Sequence, residues 1–189
     1  MLIVVEGKED KEFIEAYLEH LQLNNITEKF LIQVSGGKDK IQSIKEIEKH
    51  DRIKIIFDAG NDFEKAKKNI EDRITKTFQN NTLKKCEIFL FPNNDKENKG
   101  RGQTLEYLLN NIIRPEEKYQ HVLNCLSSYE QCIKSPLDNN EDITPLQLKA
   151  KVHAYKLAFG FDKKKRFKLS DIFDFDHEYL KPLKDFLEK

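Results

Sequence analysis

Acidic side chains directly follow two apolar runs, in the stretches VVEGKED and IIFDAGND. Glu6 comes after residues 2–5, and Asp58 comes after residues 53–57. A carboxylate can move a proton, and it can bind Mg²⁺ or Mn²⁺, which prefer oxygen ligands and need few protein carboxylates beside water and phosphate. Two carboxylates held side by side repel each other unless a cation neutralises them. If the fold brings Glu6 and Asp58 together, the pair predicts a divalent metal site.

Two polar residues shortly after Asp58 are further candidate metal ligands. Asp62 and Asn61 lie close enough along the chain to supply oxygen atoms to the same ion. Asp62 is equally well placed to cap the helix predicted to follow it, because aspartate is a favoured residue at the start of a helix. Both interpretations of Asp62 stay open at this point.

Other polar residues are weaker candidates for the same site. Lys8 follows Glu6 closely, can open the next helix and counts with Glu6 as a candidate catalytic residue. Glu106, in TLEYLL, is a further possible acidic ligand, although a glutamate among leucines on a helix is more often solvated. Asp10 is a possible additional member. No pair of histidines has a metal-ligand spacing, and no Ser-His-Asp arrangement is evident.

A basic run with one aromatic residue, KKKRFK, covers residues 163–168. Lys163, Lys164 and Arg166 are candidate contacts to nucleic-acid phosphates, and Phe167 has the ring to stack on a base. A charged loop between helices explains the same run equally well.

The composition limits the kind of partner. Lysine and arginine total 33, and aspartate and glutamate total 33, so the formal net charge is zero. This balance excludes a nucleic-acid binder that depends on bulk positive charge, so such contacts must be local. No apolar run reaches the roughly 18 residues of a membrane span, so no membrane partner is predicted. The three cysteines lack a CxxC spacing, and the expected location is the cytoplasm.

Alternating short strands and helices are predicted for the first part of the chain. Apolar, largely β-branched runs indicate strands at 2–5, 30–34, 53–57 and 86–91. Helical spacing of apolar residues indicates helices at 10–21, 41–47 and 62–78. This order predicts an α/β fold, with a mostly parallel, Rossmann-like sheet flanked by helices. Ligands of such sheets bind at the carboxyl ends of the strands.

The second part of the chain shows helical patterns alone. Predicted helices cover 104–113, a segment that Pro115 starts, 145–159 and the stretch around 180–187. We therefore expect an α/β domain at 1–112 and a helical C-terminal extension at 113–189, packed on that domain.

Several stretches together resemble the Toprim domain of topoisomerases, bacterial-type primases and OLD-family nucleases. They are VVEGKEDKEFI at 4–14, VSGGKDK at 34–40, IIFDAGNDFEKAKKNI at 55–70, FLFPNN at 89–94 and the run from Gly102 to Leu109. With DIFDFDHEYLKPLKDFL at 171–187, the chain is similar over nearly its whole length to a family of short bacterial Toprim-like proteins that has no assigned activity.

This resemblance implies roles for single residues. Glu6 matches the glutamate that acts as general acid and base in Toprim enzymes, and Asp58 matches the first aspartate of their Mg²⁺-binding D-x-D pair. The second aspartate is expected at position 60, where this chain has Gly60, and aspartate returns only at Asp62. The missing second aspartate affects the prediction of catalysis more than the prediction of the fold.

The sequence therefore predicts a Mg²⁺-dependent, nuclease-like phosphodiester hydrolase. The alternative is a non-catalytic Toprim-like protein that binds nucleic acid or protein, which Gly60 favours because a fold does not fix a function. The choice between DNA and RNA, any partner protein and the oligomeric state stay open.

Overall fold

The computed structural model describes residues 1–23, 30–44, 47–78, 81–95, 104–134, 148–160 and 168–189. The strands are β1 (Leu2–Val5), β2 (Leu31–Val34), β3 (Ile53–Asp58) and β4 (Cys86–Phe91). The helices are α1 (Lys8–His20), α2 (Phe63–Thr77), α3 (Leu105–Asn111), α4 (Glu117–Lys134), α5 (Leu148–Ala158), α6 (Leu169–Ile172) and α7 (Lys181–Glu188).

The four strands form one parallel sheet with the order β2-β1-β3-β4. Helices flank the sheet, so the predicted Rossmann-like α/β class is confirmed. Every predicted strand lies within one residue of its observed bounds. Runs such as LIVV and IKIIF predict these strands well because both faces of a central parallel strand are covered.

One face of the sheet packs on α2 and on the segment after β2. Alternate strand residues, among them Leu2, Val4 and Phe57, meet Ala66, Ile70 and Ile74 of α2 in a single buried cluster. Alternation follows from the two-residue period of a strand, and the spacing of the α2 residues follows from the helical period.

The opposite face carries an aromatic layer. Phe13 of α1 packs against Phe91 and Phe175, with ring centroids 6.2 Å and 5.7 Å away. Phe186 of α7 lies 5.3 Å from Phe89, and the buried Lys54 ammonium lies 4.6 Å from the Phe186 ring centroid. The C-terminal segment therefore completes the core over this face.

The helix predicted at 41–47 is wrong in type. The segment forms two 3₁₀ helices, Lys38–Ser43 and Ile47–Lys49, and the backbone of Ile44 between them is not helical. Ile41, Ile44 and Ile47 are buried. Their strict spacing of three matches the 3₁₀ helix, which has three residues per turn, better than the α-helix.

The chain divides into two compact units. The first comprises Met1–Leu108 and Phe175–Lys189, and the second comprises Leu109–Asp174. Residues 175–189, which the sequence analysis placed with the helical extension, thus belong to the unit that contains the sheet.

The second unit is helical. Within it, Ile113 and Phe173 form an isolated antiparallel bridge. The Tyr155 hydroxyl donates a hydrogen bond to the carbonyl of Ile172 at 3.2 Å, and the Tyr119 hydroxyl donates one to Asp171 at 2.6 Å. These bonds hold the end of the unit against α4 and α5.

Among the helices of the described residues, none is long and apolar enough to cross a membrane. The cysteines Cys86, Cys125 and Cys132 are free thiols.

Candidate functional site

The carboxyl ends of β1 and β3 meet at the centre of the sheet. The two strands are neighbours in parallel register, with Val5 beside Ile56. From β1 the chain crosses to β2 on one side, and from β3 it crosses to β4 on the other. A crevice opens where the connections of a parallel sheet diverge in this way. Glu6 follows β1 and Asp58 ends β3, so both predicted residues lie at this crevice.

Glu6 has a side-chain oxygen that is buried without a hydrogen-bond partner. Among the described residues, only Glu6 Oε2 and Asn93 Oδ1 are buried side-chain oxygen or nitrogen atoms with none. A buried acceptor left unpaired costs free energy, which a cation or a hydrogen-bond donor would recover.

Asp10 reaches back from α1 to the same end of β1. It is only 8% exposed, and its Oδ2 accepts a hydrogen bond from the backbone N–H of Gly7 at 2.6 Å. Burial raises the pKa of Asp10 to about 6, and repulsion from Glu6, Glu106 and Glu9 adds to the rise against the opposing effect of the Gly7 bond. From the sequence, Asp10 is predicted only as a possible additional member of the site, because a sequence does not show which side chains are buried.

Asp58 is held at the start of α3. Its Oδ1 accepts a hydrogen bond from the backbone N–H of Leu105 at 2.9 Å. Burial raises the pKa of Asp58 to about 7, with further contributions from the charges of Asp10, Glu6 and Glu106. Asp10, Glu6 and Glu106 therefore lie close enough to Asp58 to oppose its negative charge.

Ion pairs do not neutralise this acidic group. Within the described part of the chain, Glu6, Asp10 and Asp58 take part in none of the salt bridges. Over the same residues, no three His, Cys, Asp or Glu side chains form a group that could hold a metal ion. The arrangement is therefore an acidic crevice without a closed set of ligands.

A family comparison covers the entire chain. The model of the family described as "Protein of unknown function (DUF3226)" matches residues 1–189. The chain belongs to the DUF3226 family. Neither the curated proteins nor the solved structures contain a match. The resemblance to Toprim domains stays a prediction, as none of these comparisons bears on it.

For three further predicted site residues of this DUF3226 protein, the structure gives the local position but does not test the predicted role. Asp62 caps α2, with its Oδ1 accepting the backbone N–H of Lys65 at 3.0 Å. Asn61 is exposed in the turn before that cap, and Lys8 is exposed at the start of α1. The structure thus supports the capping interpretation of Asp62. Lys163, Lys164 and Arg166 lie outside the described residues.

Two residues near the crevice were missed as site candidates. Asn93 follows β4 and has the second unpaired buried oxygen noted above. Lys38 follows β2, and its Nζ lies 3.4 Å from the place where a Cβ on Gly60 would stand. Lys38 is the fourth residue after β2 and Asn93 the second after β4, so both lie beyond the carboxyl end of a strand, which is the signal that identified Glu6 and Asp58.

Proposed function

We propose that this protein is a Mg²⁺-dependent hydrolase of nucleic-acid phosphodiester bonds. The observation that carries the proposal is the unpaired buried Oε2 of Glu6 beside Asp10 and Asp58, whose pKa values are raised by burial and further by the neighbouring carboxylates. A divalent cation would pair with the Glu6 carboxylate and would reduce the repulsion between the carboxylates. It is also the usual partner of phosphate in enzymes. The resemblance to Toprim domains supports nucleic acid as the source of that phosphate.

The residues present fit a Mg²⁺ or Mn²⁺ ion. Glu6 and Asp58 would hold it, and Asp62 stays a weaker candidate because its carboxylate caps α2. Such an ion supplies charge neutralisation at the phosphate.

The chain's own side chains supply positioning and proton transfer. Leu105 N–H fixes the orientation of Asp58, while the Asp10 carboxylate fixes the backbone at Gly7, directly after Glu6. Glu6 has two carboxylate oxygens, so the one that does not hold the ion can accept a proton from an attacking water and return one to the leaving oxygen.

Cleavage of labelled single-stranded DNA and RNA tests the proposal. The wild-type protein should cut at least one of them with millimolar Mg²⁺ and neither in EDTA. Glu6→Gln should lower the rate about 100-fold or more, as expected for loss of a general acid and base. Glu12→Gln changes an exposed residue of α1 and should leave the rate unchanged. Full cleavage by Glu6→Gln, or by the protein in EDTA, would refute the assignment.

A non-catalytic binding protein is the second candidate function. Two observations favour it: position 60 is glycine, and the described residues contain no group of three metal-ligating side chains. In that case the wild-type protein should bind nucleic acid or a protein partner and show no Mg²⁺-dependent cleavage. It should also keep that binding in Glu6→Gln.

We place either activity in the cytoplasm. Three free cysteines support this, because thiols persist in a reducing compartment.

A further inference from the structure

A groove lies beside the acidic crevice on the first unit. It has a volume of about 310 Å³ and is lined by residues from the segment after β2, the turn after β3 and α2. Its charged side chains are three cations and two carboxylates, namely Lys38, Lys65, Arg73, Asp39 and Asp62.

Both carboxylates of the groove already have partners. Arg73 donates to the Asp39 carboxylate and, at 3.3 Å, to the Asp39 carbonyl. Asp62 accepts the backbone N–H of Lys65 as the cap of α2. No salt bridge joins Lys38 or Lys65 to another residue of the described ranges. The groove therefore has two ammonium groups available to an anion.

Lys38 lies beside the turn that follows Asp58 at the end of β3. Gly60, two residues after Asp58, has a backbone φ of +74°, and the Lys38 Nζ lies 3.4 Å from the position of a Cβ added there. Glycine favours this conformation, and it leaves the space over the turn to the lysine side chain. The 3₁₀ helix after β2 thus presents a half-buried cation beside the acidic crevice.

We infer that Lys38, with Lys65, binds a backbone phosphate of a polynucleotide next to the phosphodiester that the acidic crevice acts on. Phosphate is the fitting anion because lysine binds it as a point charge, and a chain of phosphates can engage both regions at once. The inference deepens the proposed function and rests on it for the identity of the polymer.

Binding in EDTA tests the inference apart from catalysis. The probes are fluorescein-labelled single-stranded DNA and RNA, followed by anisotropy over a series of salt concentrations. Lys38→Ala should weaken binding about three- to fivefold, the range for one exposed ion pair. It should also reduce the slope of log K against log salt by about 0.7, as expected for one lost phosphate contact on a single strand. Lys38→Arg should retain binding.

Two matched controls sharpen this experiment. Lys40→Ala removes an exposed lysine from the same 3₁₀ helix and should bind as the wild type does. Gly60→Asp places a carboxylate beside Lys38 and should weaken binding as Lys38→Ala does. Gly60→Asn has the same shape without the charge and tolerates positive φ, so it should keep binding.

The inference is overturned if Lys38→Ala binds both polymers with the wild-type affinity and slope, if Lys40→Ala loses as much, or if the wild type binds neither. The proposed function fails separately. Lys38-dependent binding without any Mg²⁺-dependent cleavage would refute the hydrolase and leave the phosphate contact standing. Cleavage that needs Glu6, combined with wild-type binding by Lys38→Ala, would do the reverse.

Discussion

Asp58 combines two roles that compete at the level of a single side chain. Its hydrogen bond to Leu105 N–H stabilises the start of α3, and its negative charge is opposed by burial and by Asp10, Glu6 and Glu106. Such a residue contributes to structure through its shape and to chemistry through its charge. Replacing the carboxylate with an amide removes the charge and keeps the shape, so this substitution separates the two contributions.

Asp58→Asn should therefore make the metal-free protein more stable at high pH. The folded pKa of about 7 exceeds the ordinary 3.8, so between these values the folded state holds more protons than the unfolded state. The free energy of unfolding of the wild type then falls as the pH rises through this window. Asparagine removes the charge while its oxygen can still accept the Leu105 bond. We expect a gain on the order of 1–3 kcal/mol at pH 8.

Urea unfolding in EDTA at pH 4 and pH 8 measures this effect. The gain should nearly vanish at pH 4, since the wild-type carboxyl is then protonated when folded. Equal effects of Asp58→Asn at the two pH values would contradict the account of Asp58. Asp62→Asn, at an exposed cap, is the control for the same change of side chain outside the crevice.

The sequence predicts that Glu6 and Asp58 lie at the carboxyl ends of strands, because the apolar runs show where those strands end. Glu6 follows LIVV and Asp58 follows IKIIF, and neighbouring parallel strands bring the two ends together. The pKa values of Asp10 and Asp58, the unpaired Asn93 oxygen and the position of Lys38 depend on burial and side-chain direction. Those properties arise only when distant segments pack.

Among the elements, α2 shows how one residue supports two interpretations. Asp62 has the residue type of a metal ligand, and its carboxylate also accepts a backbone N–H at the start of a 15-residue helix. The hydrogen bond favours the cap. The sequence cannot decide between the two because the same aspartate suits both.

Substitutions at Asp62 distinguish the cap from a metal ligand. Asp62→Ala should lower the free energy of unfolding by about 1 kcal/mol, the usual cost of losing a helix cap, whereas Asp62→Asn should change it little. If Mg²⁺ or Mn²⁺ stabilises the wild type against heat, as we propose, both variants should keep that stabilisation. If Asp62→Asn loses that response with unchanged stability, Asp62 is a metal ligand instead.

The segment after β2 marks a limit of prediction for elements. Isoleucines at 41, 44 and 47 correctly indicate a buried face. The α-helix predicted from their spacing is wrong, because the segment forms 3₁₀ helices. Gly36 and Gly37 before them have positive φ values, which the sequence suggests only as a turn. The backbone conformation at these two glycines sets how the chain enters the 3₁₀ helix.

At the scale of the whole molecule, the two ends of the chain build one unit. Residues 1–108 and 175–189 belong together, and α7 brings Phe186 against Phe89 and the buried Lys54. Lys54 also donates a hydrogen bond to the Phe186 carbonyl, and burial lowers the pKa of its ammonium group. The sheet therefore depends on the last helix for much of one face.

Phe186→Ala should destabilise the sheet, although residue 186 is far from the strands in the sequence. We expect a loss of about 3 kcal/mol in the free energy of unfolding, typical of a buried phenylalanine changed to alanine. Lys184→Ala, an exposed change on the same helix, should cost little. Urea unfolding followed by circular dichroism measures both. Equal, small losses would mean that α7 contributes little to the core.

The proposed function depends on a divalent cation held by Glu6 and Asp58 together. Its presence can be tested with a crystal grown with Mn²⁺ and measured at a wavelength where manganese scatters anomalously. We expect an anomalous peak within coordination distance of both carboxylates, and no such peak in crystals of Glu6→Gln. Full-occupancy manganese elsewhere with none at this crevice, or a peak there that persists in Glu6→Gln, would contradict it.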